Sequence, residues 1–448
     1  MNEKIIGQLF DQFKEQYGST VASAASLFDG QLDLQQFVMG IGRELEQRLF
    51  DALGTGYQGA RLKIKGVLYR FKGYRKREVQ GLFGKIVLKR AYYVAGNGQT
   101  YCPLDCWLSI RGHTPGLQYF LSLFTGQMVY ERALEHFHRI FRPEGRDELS
   151  MRKALDMDYE LGEELEALRQ HEIQQVFKED RPIAKVAPVE GMMAVCIDAT
   201  KVRENLGKKR TRGRRKRYRI GFKDAKVATF SGVQWDPNRG EARCVHSSYV
   251  SAVENADEFS QRTWVEMQRR GADPEQQPLV FLGDGADWIW RRVKDLRNPS
   301  SIEILDFYHA AEHLSDTCKA LYGEQTPAYR EHFPRWTKLL FRGKAAVVIQ
   351  ELAEILNRTQ GEAARKALRL QISYLKRNLR RMDYPRYRRM RLPIGSGTVE
   401  SACKNVIGGR MKLGGMTWSP SGADGMLQIR SSQESGRFES DFRALLAA

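Results

Sequence analysis

Apolar residues recur at intervals of three and four through Ile5, Ile6, Leu9, Phe10 and Phe13, and again through Leu34, Phe37, Val38, Ile41 and Leu45, which predicts helices from residue 1 to about 55. From about 61 to 95 the period falls to two, with glycines at the junctions, so a small antiparallel sheet studded with Lys and Arg is expected. Helical spacing returns between about 114 and 175. Ser150 offers an N-cap there, and the acidic stretch from Glu160 to Glu166 is expected to face solvent or a partner subunit. Short helices joined by turns in this region also fit a DNA-reading helix-turn-helix. Pro182 and Pro188 then mark the expected domain boundary, near residue 185.

Beyond it the pattern becomes that of an α/β domain. Met192 to Ile197 is an apolar run of buried-strand type that ends in Asp198, and Leu279 to Gly283 is a second that ends in Asp284. Ile302 to Leu305, a third, leads into Asp306, Phe307, Tyr308 and His309. Two alternating segments, from about 218 to 235 and 242 to 253, read as antiparallel strands, and residues 256 to 271 as a helix. A helical, very basic block at about 310–392 interrupts the domain before the glycine-rich stretch from Pro393 to Ser419. The fold class expected is therefore a mixed α/β sheet with helices on both faces and an all-α insertion, preceded by an α+β region.

Composition narrows the class. With 42% hydrophobic and 28% charged residues the 448-residue chain is globular rather than disordered, and it is long enough for two or three cores. A formal net charge of +18 points to a polyanionic partner. The amphipathic, early-acidic N-terminus is unlike a secretory leader, and no apolar run approaches the roughly 18 residues that cross a bilayer. A cytoplasmic, nucleoid-associated protein with no membrane partner is expected. The six scattered cysteines make no disulfide framework, which fits a reducing compartment.

Charge is also concentrated. Lys208, Lys209, Arg210, Arg212, Arg214, Arg215, Lys216 and Arg217 follow Asp198 in a segment without apolar periodicity, read as a loop or hairpin tip that contacts phosphates. Lys404, Arg410 and Lys412 lie beside Glu400 among glycines that allow close approach, and are expected to hold a DNA strand. Neighbouring strand ends of an open sheet can bring Asp198 and Asp284 together, and Glu400 on a packed helix makes a third carboxylate. Hard oxygen ligands of this kind suit two Mg²⁺ ions, with Mn²⁺ able to substitute, about 3.5–4 Å apart in a site for in-line phosphoryl transfer. By spacing alone Asp224, Asp287 and Asp306 are rivals for these places. His309 and His313, four apart, could ligate a metal but more often form a structural pair. Trp288 either packs in the core or stacks on an unpaired base.

These segments together, with F-L-G-D-G-A-D-W-I around Asp284, D-F-Y-H at Asp306 to His309 and G-S-G-x-x-E-S-x-x-K-N around Glu400, followed by R-M-K-x-x-G-M-x-W, resemble a bacterial insertion-sequence DDE transposase of the Kra-element family, similar to the Mutator-like transposases. The resemblance runs from about 190 to 430 and departs at Asp198-Ala-Thr, where Asp-Gly is usual. It implies a ribonuclease-H-like catalytic domain (186–448) behind a DNA-binding region (1–185). Asp198, Asp284 and Glu400 would then be the catalytic, metal-binding triad, with Asp306 and His309 close by. It also implies double-stranded DNA partners, both transposon-end inverted repeats and target, and a homodimer or higher oligomer. A structure-specific nuclease of the same fold, or a non-catalytic DNA-binding descendant, is the alternative.

Overall fold

The computed structural model describes residues 3–18, 23–145, 148–208, 218–272, 278–395 and 397–447. The chain forms two compact units, Met1–Leu161 with Phe442–Ala448, and Gly162–Asp441.

The first unit begins with helices α1 (Glu3–Tyr17) and α2 (Ala24–Ala52). A four-stranded antiparallel sheet follows, β1 (Arg61–Ile64), β2 (Val67–Gln80), β3 (Lys85–Ala95) and β4 (Thr100–Tyr101), in that spatial order. Alternation in β2 and β3 turns Val79, Ile86 and Leu88 onto Ile110, while Lys72, Lys76, Lys85 and Lys89 are exposed. Short helix α3 (Pro103–Trp107) places Asp105 against Arg77 and Arg90, so two of the sheet's arginines share one carboxylate inside the unit. Helices α4 (Pro115–Thr125), α5 (Tyr130–Phe141) and the start of α6 (Met151–Phe177) enclose Leu117, Leu121, Leu134, Phe137 and Met157. Ser150 caps α6, its hydroxyl accepting from the Lys153 N–H at 3.1 Å.

Helix α6 is continuous for 27 residues, and the division between units falls within it, between Leu161 and Gly162. Its second half packs. Leu161, Gly162, Leu165 and Arg169 are buried, so the acidic stretch does not simply face solvent. Gly162 sits so close to Gly425 that a Cβ would lie 2.3 Å from the neighbouring Cα, a crossing open only to glycine.

The second unit is mixed α/β. Its sheet has the order β7-β6-β5-β8-β9, built from β5 (Met193–Lys208), β6 (Tyr218–Asp236), β7 (Glu241–Ala252), β8 (Leu279–Gly283) and β9 (Ile302–Leu305). The β5, β6 and β7 strands run antiparallel, whereas β5, β8 and β9 run parallel. One face buries Met193, Val195, Ile197, Ala228, Phe230 and Phe281 under α7 (Ala256–Arg269) and α8 (Asp287–Leu296). The opposite face carries small residues, including Thr229, Ser231 and Ser251, and receives α16 (Pro420–Glu434), whose Gln428 donates to the Ser251 carbonyl at 3.1 Å.

The sequence pattern places Asp198 at a strand end. Instead β5 runs ten residues further, pairing Thr200 with Ala225, Val202 with Lys223 and Glu204 with Gly221. Val202 and Glu204 are buried while Lys201 and Arg203 are exposed, so a period of two is present, hidden by its charges.

Between β9 and the glycine-rich stretch stand α9 (Phe307–Tyr322), α10 (Pro327–Phe341), α11 (Ala345–Arg358), α12 (Glu362–Asn378) and α13 (Tyr384–Arg389). Three tyrosines dock this block on the sheet: Tyr374 donates to the Asp284 carbonyl, Tyr384 to that of Leu305 and Tyr387 to that of Glu303, at 3.0, 3.1 and 3.2 Å. Then α14 (Gly397–Ala402) runs into a π-helical segment, Cys403–Gly408, and the single turn α15 (Gly409–Met411). The chain closes with α17 (Phe438–Ala447).

Six charged residues form a closed buried ring in this unit. Arg169 pairs with Glu172, Glu172 with Arg269, Arg269 with Glu266, Glu266 with Arg437, Arg437 with Asp441, and Asp441 with Arg169. The ring ties α6, α7 and the start of α17 together.

Candidate acidic site at the ends of the parallel strands

Strand register builds the site. Ile197 of β5 pairs with Gly283 of β8, and Gly283 with Leu305 of β9, so the next residues along, Asp198, Asp284 and Asp306, stand in one transverse row. That row is where β8 and β9 stop. The edge of β5 that β8 leaves open is taken by Trp418, which accepts from the Asn205 N–H at 2.8 Å and donates its own N–H to Arg203 at 3.0 Å. The other end of the glycine-rich stretch is fixed by Phe307, whose N–H donates to the Ile394 carbonyl at 2.9 Å. Glu400 lies on this segment, which is bound at both ends.

Each carboxylate has its own surroundings. Asp198 accepts from the Ala199 N–H at 2.6 Å and from the Cys403 thiol at 3.3 Å. Burial, reinforced by the Asp284 charge, raises the Asp198 carboxyl above its ordinary value. Burial and the nearby Asp198 and Glu400 carboxylates push the Cys403 thiol up strongly, so it stays protonated and donating. Asp284 accepts from the Ala286 N–H at 2.9 Å, across Gly285 at φ 93°. A Cβ at Gly285 would lie 2.6 Å from the Tyr374 ring, so this turn needs glycine both for its dihedral and for space. Asp306 is fully buried and caps α9, accepting from the His309 N–H at 2.9 Å. Its place is beside the site, and its carboxylate is engaged structurally.

His309 lies 3.4 Å from Glu312 through Nδ1. Its ring meets that of His313 at 5.1 Å, and His313 stacks on Tyr374 at 4.2 Å. Burial and the neighbouring His309 lower the His313 pKa, which keeps that imidazole neutral. The histidines thus form a packed pair. Trp288 packs beside Phe259 with Lys226 Nζ 5.5 Å from its ring centre, as a core residue does.

The basic residues separate into groups. Lys404 and Lys412 are exposed, and Lys412 Nζ donates to the Thr200 hydroxyl, two residues along β5 from Asp198. Arg410 is fully buried with its guanidinium 4.9 Å from the Trp418 ring, so it braces the segment instead of facing outward. Lys209, Arg210, Arg212, Arg214, Arg215, Lys216 and Arg217 lie outside the described residues, as does the side chain of Lys208.

Asp198 and Asp284 fit a hard divalent cation in donor type and placement: adjacent strand ends give oxygen ligands whose mutual repulsion a cation would relieve. Glu400 is exposed on α14, one helical turn before Cys403. Among the described residues no three His, Cys, Asp or Glu side chains stand close enough to enclose a metal ion, and Cys403 engages one Asp198 oxygen. The third carboxylate is near the pair without closing on it. Sequence reasoning passed over Cys403 and Tyr374. The first had a signal in its three-residue spacing from Glu400, and the second had none, being one aromatic in a helical apolar pattern. No protein-family model matches the chain, and no curated protein matches it.

Proposed function

We propose that the chain is a DDE-type transposase of the insertion-sequence class with a ribonuclease-H-like core, which binds the inverted repeats at its element's ends and catalyses DNA cleavage and strand transfer. The observation that carries this reading is the register Ile197 to Gly283, which sets Asp198 and Asp284 side by side where β8 ends, with Glu400 on a helix tied to Asp198 through Cys403. Asp198, Asp284 and Glu400 would hold Mg²⁺ or Mn²⁺, which supplies Lewis-acid activation of the attacking water or 3′-hydroxyl and of the leaving oxygen. Tyr374 fixes the backbone of Asp284, and the Cys403 thiol orients the Asp198 carboxylate. Lys404 and Lys412 meet the phosphates of the bound strand, a role in which the basic segment from Lys208 to Arg217 joins them. The lysine-rich sheet of the first unit offers a further phosphate-binding face. No helix among the described residues is long and apolar enough to cross a membrane.

The test is a strand-transfer assay on DNA carrying the element's ends, with Mg²⁺ or Mn²⁺. The unmodified chain is expected to cleave and join, and Asp284→Ala and Glu400→Ala to lose activity by about 1,000-fold or more. Activity surviving both substitutions would sink the assignment. Specific end-binding with no cleavage under either cation would favour a DNA-binding protein instead.

A further inference from the structure

We propose that α2 is a self-association surface, its outward apolar stripe packing against the same stripe of a second copy of the chain. The helix has 29 residues, about 43 Å of length, and none of them is wholly buried. Its inward face is occupied. Gln35 donates to the carbonyls of Arg139 and Ile140, Glu46 accepts from the N–H groups of Leu82 and Phe83, and Gln47 exchanges hydrogen bonds with the backbone of Val87. On one flank lies α1, whose Phe13 and Tyr17 meet Phe37. Opposite the inward face run Leu27, Leu34, Val38, Ile41 and Leu45, and of these Leu27, Leu34, Val38 and Leu45 are 47–60% exposed.

Leu27, Leu34 and Ile41 are seven apart, as are Val38 and Leu45. A seven-residue repeat is the period at which two helices keep a common seam by winding about each other, so the natural occupant of this stripe is another helix of the same period. Charge selects which. Residues 1–55 carry eight acidic and four basic side chains in a chain of net +18, so this region is poorly suited to nucleic acid or an anionic membrane. From Leu27 to Leu45 the seam positions hold no charge and only one polar residue, Gln31, so two copies meet without opposing like charges. The half-exposed side chains would bury about 700 Å² of apolar surface across the pair, and polar flanks adding about 500 Å² bring it to the lower end of the roughly 1,200–2,000 Å² of a stable interface. The inference does not depend on the chemistry of the acidic site.

Light scattering and sedimentation of the full chain test it, in about 0.5 M salt so that association through nucleic acid is suppressed. A dimer is expected, weakened by about 100-fold or more in Leu34→Gln/Leu45→Gln with helix content and melting temperature unchanged. Leu370→Gln, at an exposed leucine of α12, should leave the mass as it is. If the double variant loses helix content, Leu45→Lys alone gives the same reading. A chain that stays monomeric at about 100 μM, or a dimer indifferent to these substitutions, overturns the proposal.

Discussion

Glu266→Gln should be among the most damaging conservative substitutions in the second unit. Glu266 is fully buried and accepts from Ser248 at 2.7 Å and from Arg437 and Arg269 at 2.6 Å each. Burial alone would raise its carboxyl, but Arg437 and Arg269 outweigh it and hold the pKa at about 2. Against an ordinary glutamate near 4.3, that depression corresponds to roughly 3 kcal/mol. The amide keeps the shape but removes the charge and points an N–H₂ at a guanidinium, leaving three ring arginines against two carboxylates. Breaking a buried pair from one side costs about 3–5 kcal/mol, which agrees in size. Because the folded pKa is depressed, the stabilisation is complete above the unfolded value near 4.3 and disappears as pH falls toward about 2. Urea unfolding followed by tryptophan fluorescence suits the test, since six of the seven tryptophans lie in this unit. Glu266→Gln should lose about 3 kcal/mol at pH 7, and the gap from the unmodified chain should narrow toward pH 3. A loss below about 1 kcal/mol, or a gap constant with pH, would refute the account of the ring.

Three further outcomes are expected. His113 is buried with Lys153 Nζ 3.2 Å from Nδ1, and burial followed by that charge lowers its pKa to about 4; the first unit should therefore lose roughly 3 kcal/mol as pH falls from 6.5 to 4, a slope that acid titration of His113→Gln should lack. Asp424, which accepts from the Val253 N–H at 3.0 Å, has its pKa raised to about 6 by burial and by Glu166, Glu204 and Glu254, so folded stability falls between about pH 4 and 6 as the unfolded chain ionises first; Asp424→Asn should stabilise by about 1–2 kcal/mol at pH 7 in thermal or urea unfolding. Tyr374→Phe keeps the ring on His313 but removes the donor to the Asp284 carbonyl; a loss of about 1–2 kcal/mol in unfolding is expected, with the proposed Mg²⁺-dependent cleavage slowed about tenfold, and unchanged cleavage would show that Asp284 needs no such support.

Local pattern determined the elements of this protein. Periods of three to four and of two, read with caps such as Ser150, mark the N-terminal helices, the lysine-rich sheet, the buried strands before Asp284 and Asp306 and the helical block before Glu400, because each reflects one segment turning one face inward. Charge hid the continuation of β5, where lysines and arginines alternate with Val202 and Glu204. The candidate carboxylates could be named from the chain, but their row is a matter of register between strands about 86 residues apart in sequence, which no local period encodes. The same holds for Cys403 against Asp198, for the tyrosines that dock α12 and α13 on the strands, and for Arg410, which looks like a phosphate contact in sequence and lies under Trp418 in the fold. The ring of Arg169, Glu172, Glu266, Arg269, Arg437 and Asp441 is the extreme case. Its members come from three distant stretches, each indistinguishable from a solvated helical charge, and only the burial that brings those helices together turns them into a closed set of mutually required pairs.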